Sequence, residues 1–230
     1  MNRPLIALFA VCPFLLASPA RAGHVKIACV GDSITAGVGA AKGWDYPSQL
    51  QRMLGAADYS VRNFGVSGAT LLRNGDRPYD TRPAFKAALD FKPDVVILML
   101  GTNDTKPQNW GPHQAEFEPD YRWLVAQLQG SNPARKLFVC RPCWVAGAGN
   151  YGINEPVLEK EIPIIDGIAT SLHLGEIDMH EPLEGHPENL PDRVHPNTAG
   201  ATLMARAAYK AITGNEFTGE VPPPAPAATP

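Results

Sequence analysis

Five residues of this chain could together carry an acyl transfer: Ser33, Gly68, Asn103, Asp192 and His195. A serine hydroxyl is a poor nucleophile at neutral pH until a base takes its proton. A histidine does this best when a carboxylate holds its other ring nitrogen. His195 can be that base, and Asp192, three residues earlier in Asp192-Arg-Val-His195, is near enough in the chain to be its carboxylate. The tetrahedral intermediate then needs donors aimed at its oxyanion. The backbone N–H groups of Ser33 and Gly68 and the side-chain amide of Asn103 are the candidates. Gly68 lets the backbone approach closely, and Asn103 offers an NH₂ without a competing charge. Asp32 and Asp104 flank these positions and read as loop-organising acceptors rather than bases.

These residues lie far apart in sequence, so a scaffold has to bring them together. Val25 to Val30, Ser60 to Phe64, Val95 to Leu100 and Lys136 to Cys140 read as strands. The third of them, Val-Val-Ile-Leu-Met-Leu, has the unbroken apolar character of a strand buried on both faces. Helical spacing links Tyr46, Leu50, Met53 and Leu54, then Phe117, Tyr121, Leu124 and Leu128, then Ile165, Ile168, Ala169 and Leu172. A last helix, Thr198 to Ile212, follows Asn197 as its N-cap. Pro47, Pro83, Pro119 and Pro163 each sit where a helix's first turn could begin. Alternating strand and helix predicts an α/β domain, an open parallel sheet between two helical layers. Ligands bind such sheets at the C-terminal strand edge, which is where Ser33, Gly68 and Asn103 fall.

The four blocks Gly-Asp-Ser33, Gly68, Gly-Thr-Asn103-Asp and Asp192-x-x-His195, in this order, resemble the signature of the SGNH, or GDSL-type, hydrolase superfamily. The resemblance runs from about Val25 to Thr213. It implies a flavodoxin-like fold with five parallel strands in the order 2-1-3-4-5, and an esterase activity that uses no metal and no cofactor. It also gives the named Ser, Gly, Asn and His the roles assigned above by chemistry. Two longer runs, Arg62 to Leu72 and Gly101 to Trp110, are similar to bacterial carbohydrate and sialate O-acetylesterases. The expectation is a secreted serine esterase removing short acyl groups, most simply acetyl, from carbohydrates. A lysophospholipase or thioesterase acting on longer chains is the alternative within the same chemistry, and a catalytically silent glycan-binding module is the alternative outside it. Gly-x-Ser-x-Gly occurs nowhere, which argues against the α/β-hydrolase superfamily.

Substrate contacts are sought around the oxyanion segment: Lys106, Gln108, Asn109 and Trp110 extend from it, and Trp44, Trp144 and Tyr151 could be stacking platforms. Aromatic residues are also the commonest core fillers, so each has a packing role as its alternative. Cys140-Arg-Pro-Cys143 has the spacing of a redox dithiol but follows the fourth strand, which favours a local disulfide or two packed thiols. His180 and His186 have acidic neighbours without metal-site spacing, and Gly37-x-Gly39-Ala-Ala-Lys42 lacks the ends of a nucleotide loop.

The chain has 230 residues, 44% hydrophobic and 19% charged, enough for one domain with its own core. Twenty basic against 23 acidic residues leave no positive excess for a phosphate backbone, which argues against nucleic acid as a partner. Residues 1–22 read as a secretory signal: a basic start at Arg3, an apolar run from Leu5 to Ala17, and Ala20-Arg21-Ala22 before the cleavage point. The run is too short to span a bilayer, so a periplasmic or released protein without stable membrane insertion is expected. Residues 23–214 form the hydrolase domain in this reading, and residues 215–230 a Pro- and Ala-rich disordered tail.

Overall fold

The computed structural model describes residues 23–130, 132 and 134–225. Its frame is a parallel sheet of five strands: β1 (Val25–Gly31), β2 (Tyr59–Gly65), β3 (Val95–Met99), β4 (Lys136–Arg141) and β5 (Gly175–Asp178), in the order β2-β1-β3-β4-β5. β1 pairs with β2 on one side, Cys29 opposite Asn63, and with β3 on the other, Cys29 opposite Ile97. The predicted strand order is the one observed.

Period-two alternation along these strands sends side chains to two separate cores. On one face Ala28, Val30, Val96, Leu98, Leu137 and Val139 pack against α3 (Pro83–Asp90), α5 (Phe117–Gln129) and α6 (Glu155–Leu172). On the other, Ile27, Cys29, Ile97, Met99, Cys140 and Ile177 meet α1 (Ser33–Ala36), α2 (Tyr46–Leu54) and α7 (Thr198–Thr213). Every residue of β3 is buried, as a strand covered on both faces must be. A further helix, α4 (Pro107–His113), runs out of the turn that follows β3. Side-chain caps start α2, α6 and α7: Asp45 accepts from Ser48 N, Asn154 from Val157 N and Asn197 from Gly200 N.

The structure completes or corrects the sequence reading at three places. β5 went unread because its four residues, Gly-Glu-Ile-Asp, carry a single aliphatic side chain at a sheet edge. Pro163 does not open a helix: α6 begins eight residues earlier at Glu155, with Pro156 in its first turn and Pro163 on the exposed face. Glu159, whose carbonyl Pro163 leaves without an N–H, is itself an exposed residue. Residues 215–225, mostly exposed, touch the domain at particular points. The Phe217 ring packs edge-on to Tyr209 at 5.2 Å, Arg206 donates to the carbonyls of Phe217 and Gly219, and Pro224 sits over Gly43. The predicted signal, residues 1–22, and the tail's end, residues 226–230, lie outside the described residues.

Candidate active site

The order β2-β1-β3 makes the C-terminal end of β1 the point where the chain turns to opposite sides of the sheet, and Ser33 stands there. It is the first residue of α1, capped by Asp32, whose Oδ1 accepts the Ile34 N–H at 2.8 Å. The Ser33 N–H is therefore one of the first-turn donors that a helix leaves unused. His195 approaches from the loop before α7: its Nε2 lies 2.8 Å from Ser33 Oγ, and its Nδ1 lies 2.7 Å from Asp192 Oδ2. Asp192 Oδ1 accepts the backbone N–H of His195 at 2.7 Å and of Val194 at 3.1 Å, so the carboxylate orients both ring and loop. Burial opposes the charge on Asp192, but the donors from His195 and Val194 outweigh it and hold the carboxyl below its ordinary range. With Nδ1 protonated toward Asp192, Nε2 is the acceptor for the serine proton.

The loops after β2 and β3 are stitched together beside the serine. Asn103 Nδ2 donates to Ala69 O at 3.1 Å, and Asp104 accepts the N–H groups of Leu71 at 2.9 Å and Leu72 at 2.7 Å. Gly68 has φ +79, the left-handed region that side chains disfavour, and Arg77 Cδ lies 3.2 Å from where a Cβ would stand. Asn109 is buried and braces the same turn, donating to Asn103 O at 2.9 Å and accepting the Asp76 N–H at 2.8 Å. Asp32 and Asp104 act as the loop organisers expected of them. Burial pushes the first up to about 6, against the N–H of Ile34, and the second up to about 7, against those of Leu72 and Leu71.

Ser33, Gly68, Asn103 and His195 line one cleft of about 270 Å³, with Val38, Ser67, Lys106, Tyr151 and Ile153 completing it. Of the proposed substrate contacts, Lys106 and Tyr151 are there, while Gln108, Trp110, Trp44 and Trp144 are not. Gln108 turns outward to Asp76 at 3.2 Å. Trp110 is buried against Phe117, ring centroids 5.5 Å apart, because α4 needs an anchor to the core. Trp44 carries the Arg52 guanidinium over its ring at 4.9 Å, and Trp144 packs on the second core. Val38 and Ile153 carried no sequence signal, since a single aliphatic residue in a loop reads the same on a cleft wall as anywhere else.

Cys29, Cys140 and Cys143 are free and buried; burial pushes the first thiol up to about 12 and the other two upward as well. Such thiols are neither nucleophiles nor redox partners. Among the described residues no group of three His, Cys, Asp or Glu is placed to hold a metal ion, and no helix is long and apolar enough to cross a membrane.

Behind the Gly101 turn, the sequence pattern concealed Glu161 on the inner face of α6. It is wholly buried, both carboxyl oxygens lack a hydrogen-bond partner, and Oε2 lies 2.5 Å from where a Gly101 Cβ would stand. Burial, with the charge of Asp104 adding to it, pushes this carboxyl well above its ordinary value. A carboxyl raised by folding gives its full stability below the unfolded-state value and loses it as pH rises through the folded-state value. Glu161→Gln, which cannot ionise, is expected to match the wild type near pH 4 and to gain thermal stability over it as the pH rises to 8. The gain is about 2–4 °C for each kcal/mol relieved. Melting curves across that range check it, and a difference that does not change with pH would refute it.

The sequence matches the GDSL-like lipase/acylhydrolase family over residues 29–203. It is 39% identical over 210 residues to an acetylxylan esterase of Xylanibacter ruminicola, covering 82% of this chain and 43% of that protein. The chain thus spans less than half the length of this relative. Among solved structures, a carbohydrate acetylesterase from Sinorhizobium meliloti superposes with a TM-score of 0.67 at 20% identity, over 83% of this chain and 99% of the other. An acetylxylan esterase from Geobacillus stearothermophilus gives 0.60 at 22% identity, over 84% and 97%. At these identities the structural likeness speaks for the fold.

Proposed function

The chain belongs to the GDSL-like lipase/acylhydrolase family, and from that premise we propose that it is a carboxylic ester hydrolase that removes acetyl groups from a xylan-type carbohydrate. The observation that carries the reading is the continuous relay Ser33 Oγ, His195 Nε2, His195 Nδ1, Asp192 Oδ2, with contacts of 2.8 and 2.7 Å, opening into a small cleft. Ser33 Oγ attacks the ester carbonyl as its proton passes to His195 Nε2, and Asp192 stabilises the imidazolium. The oxyanion is met by the Ser33 and Gly68 N–H groups and the Asn103 amide, a constellation fixed before substrate arrives. Collapse of the intermediate expels the sugar hydroxyl, which takes the proton from His195. Water, activated by the same histidine, then releases acetate from Ser33.

The cleft's size supports a short acyl group. Pockets for drug-sized ligands run from roughly 300 to 1,000 Å³, and a site below that range suits an acetyl group better than a long chain. The relative from Xylanibacter ruminicola supports xylan as the carrier. Secretion through residues 1–22 belongs to the same reading and rests on the sequence alone, since a polymeric glycan is met outside the cell.

Acetate release decides the matter. Residues 23–230 are expected to release acetate from acetylated xylan and to hydrolyse 4-nitrophenyl acetate faster than the octanoate. Octanoate preferred over acetate, with no release from xylan or from acetylated sialic acid, would replace this reading with a lipid or thioester hydrolase.

A further inference from the structure

Among the described residues three large hydrophobic side chains stand exposed, Val38 (41%), Tyr151 (64%) and Leu172 (41%), and two of the three line the cleft that holds Ser33. Tyr151 is the more unusual. It has φ +58, a conformation that a bulky residue adopts only where its surroundings impose it. Its surroundings do so through Asp192. The side chain of Asn150 donates to Asp192 O at 2.6 Å, and the Tyr151 hydroxyl donates to Asp192 Oδ2 at 3.3 Å, the same oxygen that faces His195 Nδ1. Two successive residues of the loop between β4 and α6 therefore grip the carboxylate residue from both ends. The tyrosine ring is left tilted against the His195 ring, centroids 5.8 Å apart, with most of its surface open.

We propose that Tyr151 determines specificity for the alcohol side of the ester: its ring is the platform on which a sugar or aromatic alcohol lies while the acyl group sits between Gly68 and Asn103. The substrate class rests on the acetyl-glycan reading above; the platform itself rests only on ester hydrolysis at Ser33. A ring laid on Tyr151 meets an apolar wall completed by Val38 and Ile153, while its ester bond stays within reach of His195, which must return a proton to the leaving oxygen. A flat aromatic face gives little to a small acyclic alcohol and several contacts to a ring.

The test compares kcat/KM for phenyl acetate and ethyl acetate in the wild type and in Tyr151→Ala, Tyr151→Phe and Tyr151→Asn. Asparagine tolerates the left-handed backbone, so it removes the ring without straining the loop. The phenyl-to-ethyl ratio is expected to fall about three- to tenfold in the Ala and Asn variants and to stay at the wild-type value in Tyr151→Phe. A ratio cancels any loss of folded enzyme. On acetylated xylo-oligosaccharides the Ala and Asn variants are expected to raise KM more than they lower kcat. If the wild type releases no acetate from the oligosaccharide, the substrate class fails while the ratio still judges the platform. A ratio unchanged in both the Ala and Asn variants overturns the proposal.

Discussion

Ser33→Ala is expected to lower kcat on 4-nitrophenyl acetate by about 10⁴-fold or more, with the fold and melting temperature unchanged. The size follows from what the substitution removes. Without Oγ there is no acyl-enzyme, and His195 Nε2 loses the group it is placed to deprotonate at 2.8 Å. What survives is the binding and the oxyanion donors, which in serine hydrolases still give about 10³–10⁴ over water. Removing one of those donors instead, by Asn103→Ala, is expected to cost about 10²–10³ in kcat. That variant loosens the turn as well, because the same amide holds Ala69 O. Steady-state rates with a burst titration separate the two cases: Ser33→Ala shows no burst, whereas Asn103→Ala shows a slow one. Turnover by Ser33→Ala within tenfold of wild type would take the serine out of the reaction.

Gly65→Ala is expected to be strongly damaging although it adds a single methyl. A Cβ at Gly65 would stand 2.3 Å from Ala36 N and 2.8 Å from both Ala36 Cα and Asp32 O. All three are backbone atoms, so no rotamer change relieves the clash, and either β2 or α1 has to move. Overpacking of this kind costs about 1–3 kcal/mol or more. Because α1 carries Ser33, a shift near 1 Å in the surviving fold is expected to cost a further 10²-fold in activity. Gly167→Ala provides the contrast: it lies on the exposed face of α6 with nothing within 4 Å of its Cβ, and is expected to stabilise by about 0.5–1 kcal/mol. Denaturant titration of the two variants checks the pair. Equal stability in both would show that β2 and α1 have slack between them.

That the candidate catalytic residues meet was legible because an open parallel sheet turns four distant segments into neighbours. A Ser, a Gly and an Asn, each just after a predicted strand, had to arrive at one edge. The spacing of Asp192 and His195 placed the carboxylate and base in one loop, and Asp192 indeed reaches both the ring and the backbone of that loop. The substrate contacts were not legible in the same way, because the property that fits an aromatic ring for a sugar also fits it for a core. Trp110 was bracketed by polar residues yet turns inward onto Phe117. Tyr151, among three glycines with positive φ, is held outward by the hydrogen bonds that it and Asn150 donate to Asp192, some 40 positions away. Glu161 was hidden because a carboxylate in a helix reads as a solvated face unless the packing on that face is known.

The contact between Ser33 and His195 joins positions 162 apart, and it has a consequence for the order in which the protein acquires its chemistry. A chain built from its N-terminus completes Ser33, the loops after β2 and β3 and all five strands while His195 is still to come. Domains fold largely as units during synthesis, N-terminal parts first. On the proposed mechanism, every truncated or half-emerged molecule ending before residue 195 is therefore a serine without its proton acceptor. On the same mechanism, full activity waits for the loop before α7, which carries the imidazole to the sheet edge that holds Ser33.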